Sequence, residues 1–182
     1  MTIESVNLKI VYDELLVLRW QNGEAAAMNE LVDRWHARLF RHVRRLANSA
    51  DDASDIMQET WLAMIRSVPK LDDPAKFPAW AYRIASNKAA DFVRKKSRHP
   101  TVPLDKPDEI VAQSTATEVT EPNNLHDLLN GLSVEHRTVV SLRYGEDLPL
   151  ETIAGMLNIP LGTVKSRLHY ALDFLKQKNN TK

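Results

Sequence analysis

Leu150-Glu-Thr-Ile-Ala-Gly-Met-Leu-Asn158-Ile-Pro-Leu-Gly-Thr-Val164-Lys-Ser-Arg-Leu168 is the stretch on which the fold turns. Two apolar-periodic segments, Leu150–Leu157 and Leu161–Lys176, are joined by only three residues, so the connection must be a tight turn. Asn158 takes the turn position usually given to glycine, and Asn tolerates the left-handed backbone better than most residues. Ala154 is small where two helices must cross closely. Val164, Leu168, Ala171, Leu172 and Leu175 follow i, i+4, i+7, i+8, i+11 and therefore pack inward. The pattern predicts a helix-turn-helix. It leaves Lys165, Ser166, Arg167, His169 and Tyr170 on or beside the outward face, concentrated in the first half of the helix. A helix that reads DNA needs this layout, because its N-terminal half enters the major groove. The plainer alternative is a helical hairpin with a solvated basic face.

Working backward along the chain, the apolar period stays helical. Leu8 to Trp20 predicts one helix ending near Asn22-Gly23, and Glu24 to Ala47 a longer one with Leu31, Trp35, Leu39, Val43 and Leu46 inward. Asn48 and Ser49 break it. Asp51 and Asp52 then open a third helix, favoured at a positive helix N-terminus, which runs to about Ser67. Its expected buried side is Ile56, Met57, Trp61, Met64, Ile65 and Val68. Pro69 and Pro74 bracket a loop before a fourth helix, about Pro78 to Lys96. Leu125–Gly131 and Ser133–Tyr144 read as two further helices, and no strand is expected.

Four of the nine prolines (Pro100, Pro103, Pro107 and Pro122) fall between His99 and Asn124, a stretch rich in Thr, Ser and Glu with no aromatic residue. Such a segment cannot repay its ordering entropy by burial, so it is expected to be a flexible linker. The expected fold class is all-α: two small helical domains, 1–98 and 125–182, joined by the linker 99–124.

Composition narrows the function. With 182 residues and no cysteine, disulfide scaffolds, thiol catalysis and thiolate metal sites are excluded. Neither a signal-peptide apolar stretch nor a run long enough to span a bilayer is found, so a cytoplasmic protein without membrane insertion is expected. Lys plus Arg and Asp plus Glu are both 24, yet residues 1–98 hold 16 basic against 13 acidic groups and residues 99–130 hold 1 against 6. Local partners, not bulk charge, follow from that distribution.

Two more motifs carry chemistry. In the fourth helix Trp80, Arg83, Asn87 and Arg94 share one stripe. An aromatic to stack a base, an amide to bond its edge and guanidinium groups for phosphates suit single-stranded nucleic acid, although Trp80 could equally be core. In the third helix Asp52, Asp55 and Glu59 share a face beside Gln58. The six His are scattered, with no pair at ligand spacing, and there is no phosphate loop or nucleophile elbow. No enzyme, metal or cofactor is expected, and the acids read as a patch for a basic protein partner.

Together the three motifs resemble sigma factors of the sigma-70 family, specifically the small two-domain extracytoplasmic-function (ECF) group. Asp52 to Leu62 resembles the family's region 2.2, Phe77 to Lys96 is similar to regions 2.3 and 2.4, and Leu132 to Tyr144 with Gly162 to Leu168 resembles region 4. The resemblance implies a promoter-recognition subunit of bacterial RNA polymerase. Asp52, Asp55, Gln58 and Glu59 would contact the β′ clamp helices. Phe77, Trp80, Arg83, Asn87 and Lys88 would engage the −10 element, with the loop Asp73 to Phe77 holding an extruded base. Thr163, Lys165, Ser166, Arg167, His169 and Tyr170 would meet the −35 element. The partners implied are core RNA polymerase (β′ clamp helices and β flap) and promoter DNA, with an anti-sigma factor as a further candidate. The competing expectation is a stand-alone helix-turn-helix transcriptional regulator, which leaves the acidic motif and the Trp80 face without a purpose.

Overall fold

A computed structural model describes residues 3–98, 128–129 and 131–180. The expected linker, 99–124, lies outside them, as does most of the expected Leu125–Gly131 helix, of which Leu128 and Leu129 are helical. Among the described residues there are helices and turns and no strand. The first domain contains α1 (Ile3–Gln21), α2 (Ala25–Leu46), α3 (Ala50–Ser67) and α4 (Phe77–Arg98), with two single 3-10 turns, Val68–Lys70 and Pro74–Lys76, between the last two. The second contains α5 (Val134–Val140), running into a π turn (Ser141–Gly145), then α6 (Leu150–Leu157) and α7 (Leu161–Asn180).

Local chemistry sets the boundaries. α1 stops at Gly23, whose φ of 87° a side chain would resist, and Glu24 N–H bonds back to Arg19 C=O at 3.0 Å. Ser49 caps α3 by accepting from the Asp52 N–H at 3.1 Å, and Asp51 and Asp52 lie in the first turn, where the helix dipole favours acids. Asp73 caps the turn ahead of α4 through the Ala75 N–H, with Pro74 in the first helical position. Asn158 is left-handed (φ 53°, ψ 49°) and ends α6 as expected. Ile159 N–H then bonds Ala154 C=O at 3.1 Å, so the turn closes on the small residue.

The main core is built on α2, whose Leu31, Trp35, Leu39, Val43 and Leu46 are buried as their spacing predicts. Ile56 and Met64 of α3, Phe77, Ala81 and Ala85 of α4, and Leu16 and Val17 of α1 close around it. Each large apolar side chain so buried contributes roughly 1.5–3 kcal/mol. Val139, Leu142, Ile153 and Val164 of the second domain belong to the same core. The two domains are therefore packed on one another, which the expectation of modules on a tether did not contain. A smaller cluster, Leu129, Leu132, Val140 and Ala171 with Phe174 and Leu175, is internal to the second domain. Ile65 departs from its expected buried place. It is 39% exposed, because α3 ends against the Val68 turn and only one side of its last turn is covered.

Candidate nucleic-acid and polymerase interface

α4 carries the first candidate surface. Arg83 and Asn87 are exposed one turn apart, and Lys88 beside them is half-buried. Trp80 is half-buried, tilted on Phe77 with ring centroids 5.7 Å apart. Phe77 itself is completely buried, edge-on to Trp35 at 5.4 Å. The expectation that Phe77 touches DNA is corrected accordingly. A ring with no accessible surface cannot stack a base, and its role is to hold Trp80 up from beneath. Arg94, on the same stripe, is engaged elsewhere, its Nη2 2.7 Å from Glu135 in the second domain and its Nη1 3.5 Å from Asp91.

The acidic motif divides. Asp55, Gln58 and Glu59 are exposed on α3 and available to a partner. Asp52 is buried, with its carboxylate 2.7 Å from Lys96 Nζ, so it is withdrawn from the partner-facing set. Burial of a carboxylate is tolerated only with such a partner, and Lys96 comes from another helix 44 residues away. Glu59 also reaches across to Lys88 Nζ at 3.4 Å, which places the acidic face directly beside the α4 face.

On α7 the recognition-type residues stand as their periodicity predicts. Lys165, Ser166, His169 and Tyr170 are exposed, Thr163 and Arg167 half-buried, and Val164 and Ala171 fully buried on the opposite side. Ser166 Oγ donates to Thr163 C=O at 3.1 Å, which leaves its lone pairs outward. His169 Nε2 lies 3.2 Å from Asp173, and Tyr170 stacks on His136 with centroids 4.6 Å apart. His136 was not singled out from sequence. Ser133 Oγ sits 2.8 Å from its Nδ1, and burial, then the charge of Arg167, lowers its pKa. A neutral ring there steadies Tyr170 without adding charge. No group of residues able to hold a metal ion exists among those described. No helix among the described residues is long and apolar enough to cross a membrane.

Known proteins share this design. Residues 31–99 match the family described as Sigma-70 region 2, and residues 128–177 match Sigma-70, region 4. SigW of Bacillus subtilis, an ECF RNA polymerase sigma factor, is 28% identical over 173 residues, covering 87% of this chain and 91% of its own. The ECF RNA polymerase sigma-E factor of Escherichia coli is 29% identical over 181 residues, covering 91% and 93%. Among solved structures, CnrH in complex with the cytosolic domain of CnrY has a TM-score of 0.69 at 20% identity, covering 94% of this chain and 99% of that one. The sigma factor RpoE in complex with the anti-sigma factor NepR, from Bartonella quintana, gives 0.62 at 23% identity, covering 82% and 93%. Both are likenesses of fold.

Proposed function

The chain belongs to the sigma-70 family, and from that premise we propose that it is a sigma factor of the ECF group, which binds core RNA polymerase and directs initiation at promoters bearing its own −35 and −10 elements. The polymerase supplies the catalysis and this chain the choice of start site, in the cytoplasm. The observation that carries the reading is three surfaces in one chain: exposed acids on α3, the Trp80–Arg83–Asn87 face on α4, and the basic first half of α7.

Each surface suits a different task. Asp55, Gln58 and Glu59 are the contact for the β′ clamp helices, where complementary charge gives specificity and speeds association. Arg83, Asn87 and Lys88, with Trp80 standing on Phe77, form the −10 surface. Stacking a base contributes about 1–3 kcal/mol, comparable with the few kcal/mol lost on unstacking it. Thr163, Lys165, Ser166, Arg167, His169 and Tyr170 form the −35 surface, read as duplex by a rigid helix in the major groove. The second domain is also the natural contact for the β flap, and an anti-sigma factor would compete for these surfaces.

Co-elution with core RNA polymerase at low salt tests the proposal. The purified chain is expected to elute with the polymerase and to bind promoter DNA tightly only in its presence. A stand-alone regulator would instead bind duplex DNA unaided and ignore the polymerase.

A further inference from the structure

Glu146, at the end of the π turn that precedes α6, has a side chain only 5% exposed at the boundary between the two domains. It faces Arg45 and Arg38 of α2, each at 3.6 Å, and accepts a hydrogen bond from the Tyr82 hydroxyl of α4. Next to it His42 of α2 is completely buried. Its Nε2 lies 2.9 Å from Ser86 Oγ on α4, and its Nδ1 2.9 Å from Ser141 Oγ on the second domain. Farther along, Arg137 Nη1 reaches Asn48 Oδ1 at 3.1 Å and Ala47 C=O at 3.4 Å, at the end of α2. Arg94 and Glu135 close the rim at 2.7 Å. Buried polar groups are stable only when each finds its partner, so these pairs fix one register between the domains where apolar contact alone would allow several.

That register conflicts with the task. A body of about 150 residues packed on one core has a radius of gyration of about 15 Å, hence a diameter of about 40 Å. Elements centred at −35 and −10 lie about 25 base pairs apart, or about 85 Å along the duplex. Surfaces on one such body cannot meet both. The intervening residues 99–127 are long enough, since 29 residues reach at most about 100 Å when extended.

We propose that the packed arrangement is a resting state, latched between the domains by Glu146 with Tyr82, Arg38 and Arg45 and by His42 with Ser86 and Ser141, and that it must open before one chain can occupy both promoter elements. The chain thus restrains its own promoter binding, a conclusion that rests on the sigma-factor reading. In the latched state Glu135 also holds Arg94 away from the −10 surface. Apparent affinity for any target that needs the open form is lowered by the fraction of chains that are open. Removing Glu146 takes the second domain's carboxylate away from Arg38 and Arg45 of α2, so the boundary loses its charge pairing and opening is favoured.

The absence of cysteine makes the test direct. Arg66→Cys and Lys176→Cys, both exposed and outside the latch, carry nitroxide labels on the full chain for pulsed electron–electron distance measurement. The otherwise unaltered chain is expected to give one narrow, short distance, independent of concentration. Glu146→Ala is expected to give a broad, longer distribution and several-fold tighter binding to core polymerase. Tyr82→Phe removes only the hydroxyl, and should open the chain partly; it decides the matter should Glu146→Ala fail to fold by circular dichroism. A broad, long distribution before any latch change overturns the proposal. So does a short one that persists in both variants, or opening with no gain in polymerase affinity. Should neither the parent nor Glu146→Ala bind polymerase at all, the sigma-factor reading fails, whatever the distances show.

Discussion

His42 is held neutral by burial and, secondarily, by the Arg45 charge, which push its pKa down to about 3. The unfolded chain therefore takes up a proton below the ordinary pKa of about 6.5 that the folded chain refuses. The stability this group contributes is present above 6.5 and is lost as pH falls, at up to about 1.4 kcal/mol per pH unit. Glu135 acts lower. Burial pushes its carboxyl up, but the Arg94 hydrogen bond and further donors hold it at about 2, so its contribution is lost only as pH falls below its ordinary 4.5. Denaturant unfolding between pH 6.5 and 5 reads His42 together with His136, whose pKa is also lowered, and His42→Gln should reduce the pH dependence there. An unchanged slope would mean that His42 titrates normally. Asp55 is a second test at this scale. Exposed on α3, it should accept Asp55→Arg within about 0.5 kcal/mol of stability, while polymerase affinity falls at least about tenfold through like-charge contact. The helical period put Asp52 and Asp55 on one side of α3, yet Asp55 is exposed and Asp52 is buried. Sequence could not show that Lys96 claims Asp52, because that pairing depends on the packing of α4 on α3.

At the scale of elements, the helices and their ends were legible because their causes are local: Gly23, the Ser49 cap, Pro74 and the left-handed Asn158. Ile65 and Phe77 were misplaced for the opposite reason. Helical period says which residues share a side, but the neighbour that covers the side is tertiary. Trp80 shows the consequence for function. Half-buried on Phe77, it is both core and surface, and Trp80→Ala will cost a few kcal/mol of stability as well as a stacking platform. Asn87→Ala, fully outside the core, separates the two. Both should bind polymerase and form the closed complex yet open promoters poorly, as read by permanganate reactivity of −10 thymines. Pre-melting the −10 region should rescue Trp80→Ala more than Asn87→Ala, since base identity would still go unread. Normal opening by both variants would reduce α4 to scaffold. On α7, Lys165→Ala with Arg167→Ala should weaken promoters that depend on the −35 element. A base-reading Arg contributes about 1–3 kcal/mol of discrimination, whereas losing a phosphate contact weakens all sequences alike. Unchanged promoter selection would remove α7 as the recognition helix.

The whole molecule was least legible. Tyr82 and Ser86 sit at i, i+4 on α4 and could have been noticed as a second polar pair. Nothing in the sequence says, however, that Ser141 and Glu146 arrive opposite them from beyond residue 99. The apolar period pointed to helical domains, and the three motifs in order carried the family. What they left out is that the domains share a core, a property of two apolar faces fitting each other. Runoff transcription with core RNA polymerase on a randomised promoter library tests the account most directly. Addition of the chain should produce transcripts that start at a fixed distance from one shared pair of −35 and −10 sequences, and Asp55→Arg should abolish them. The opposite result is a chain that elicits no new start sites yet binds duplex DNA on its own, which would mark it as an ordinary helix-turn-helix regulator.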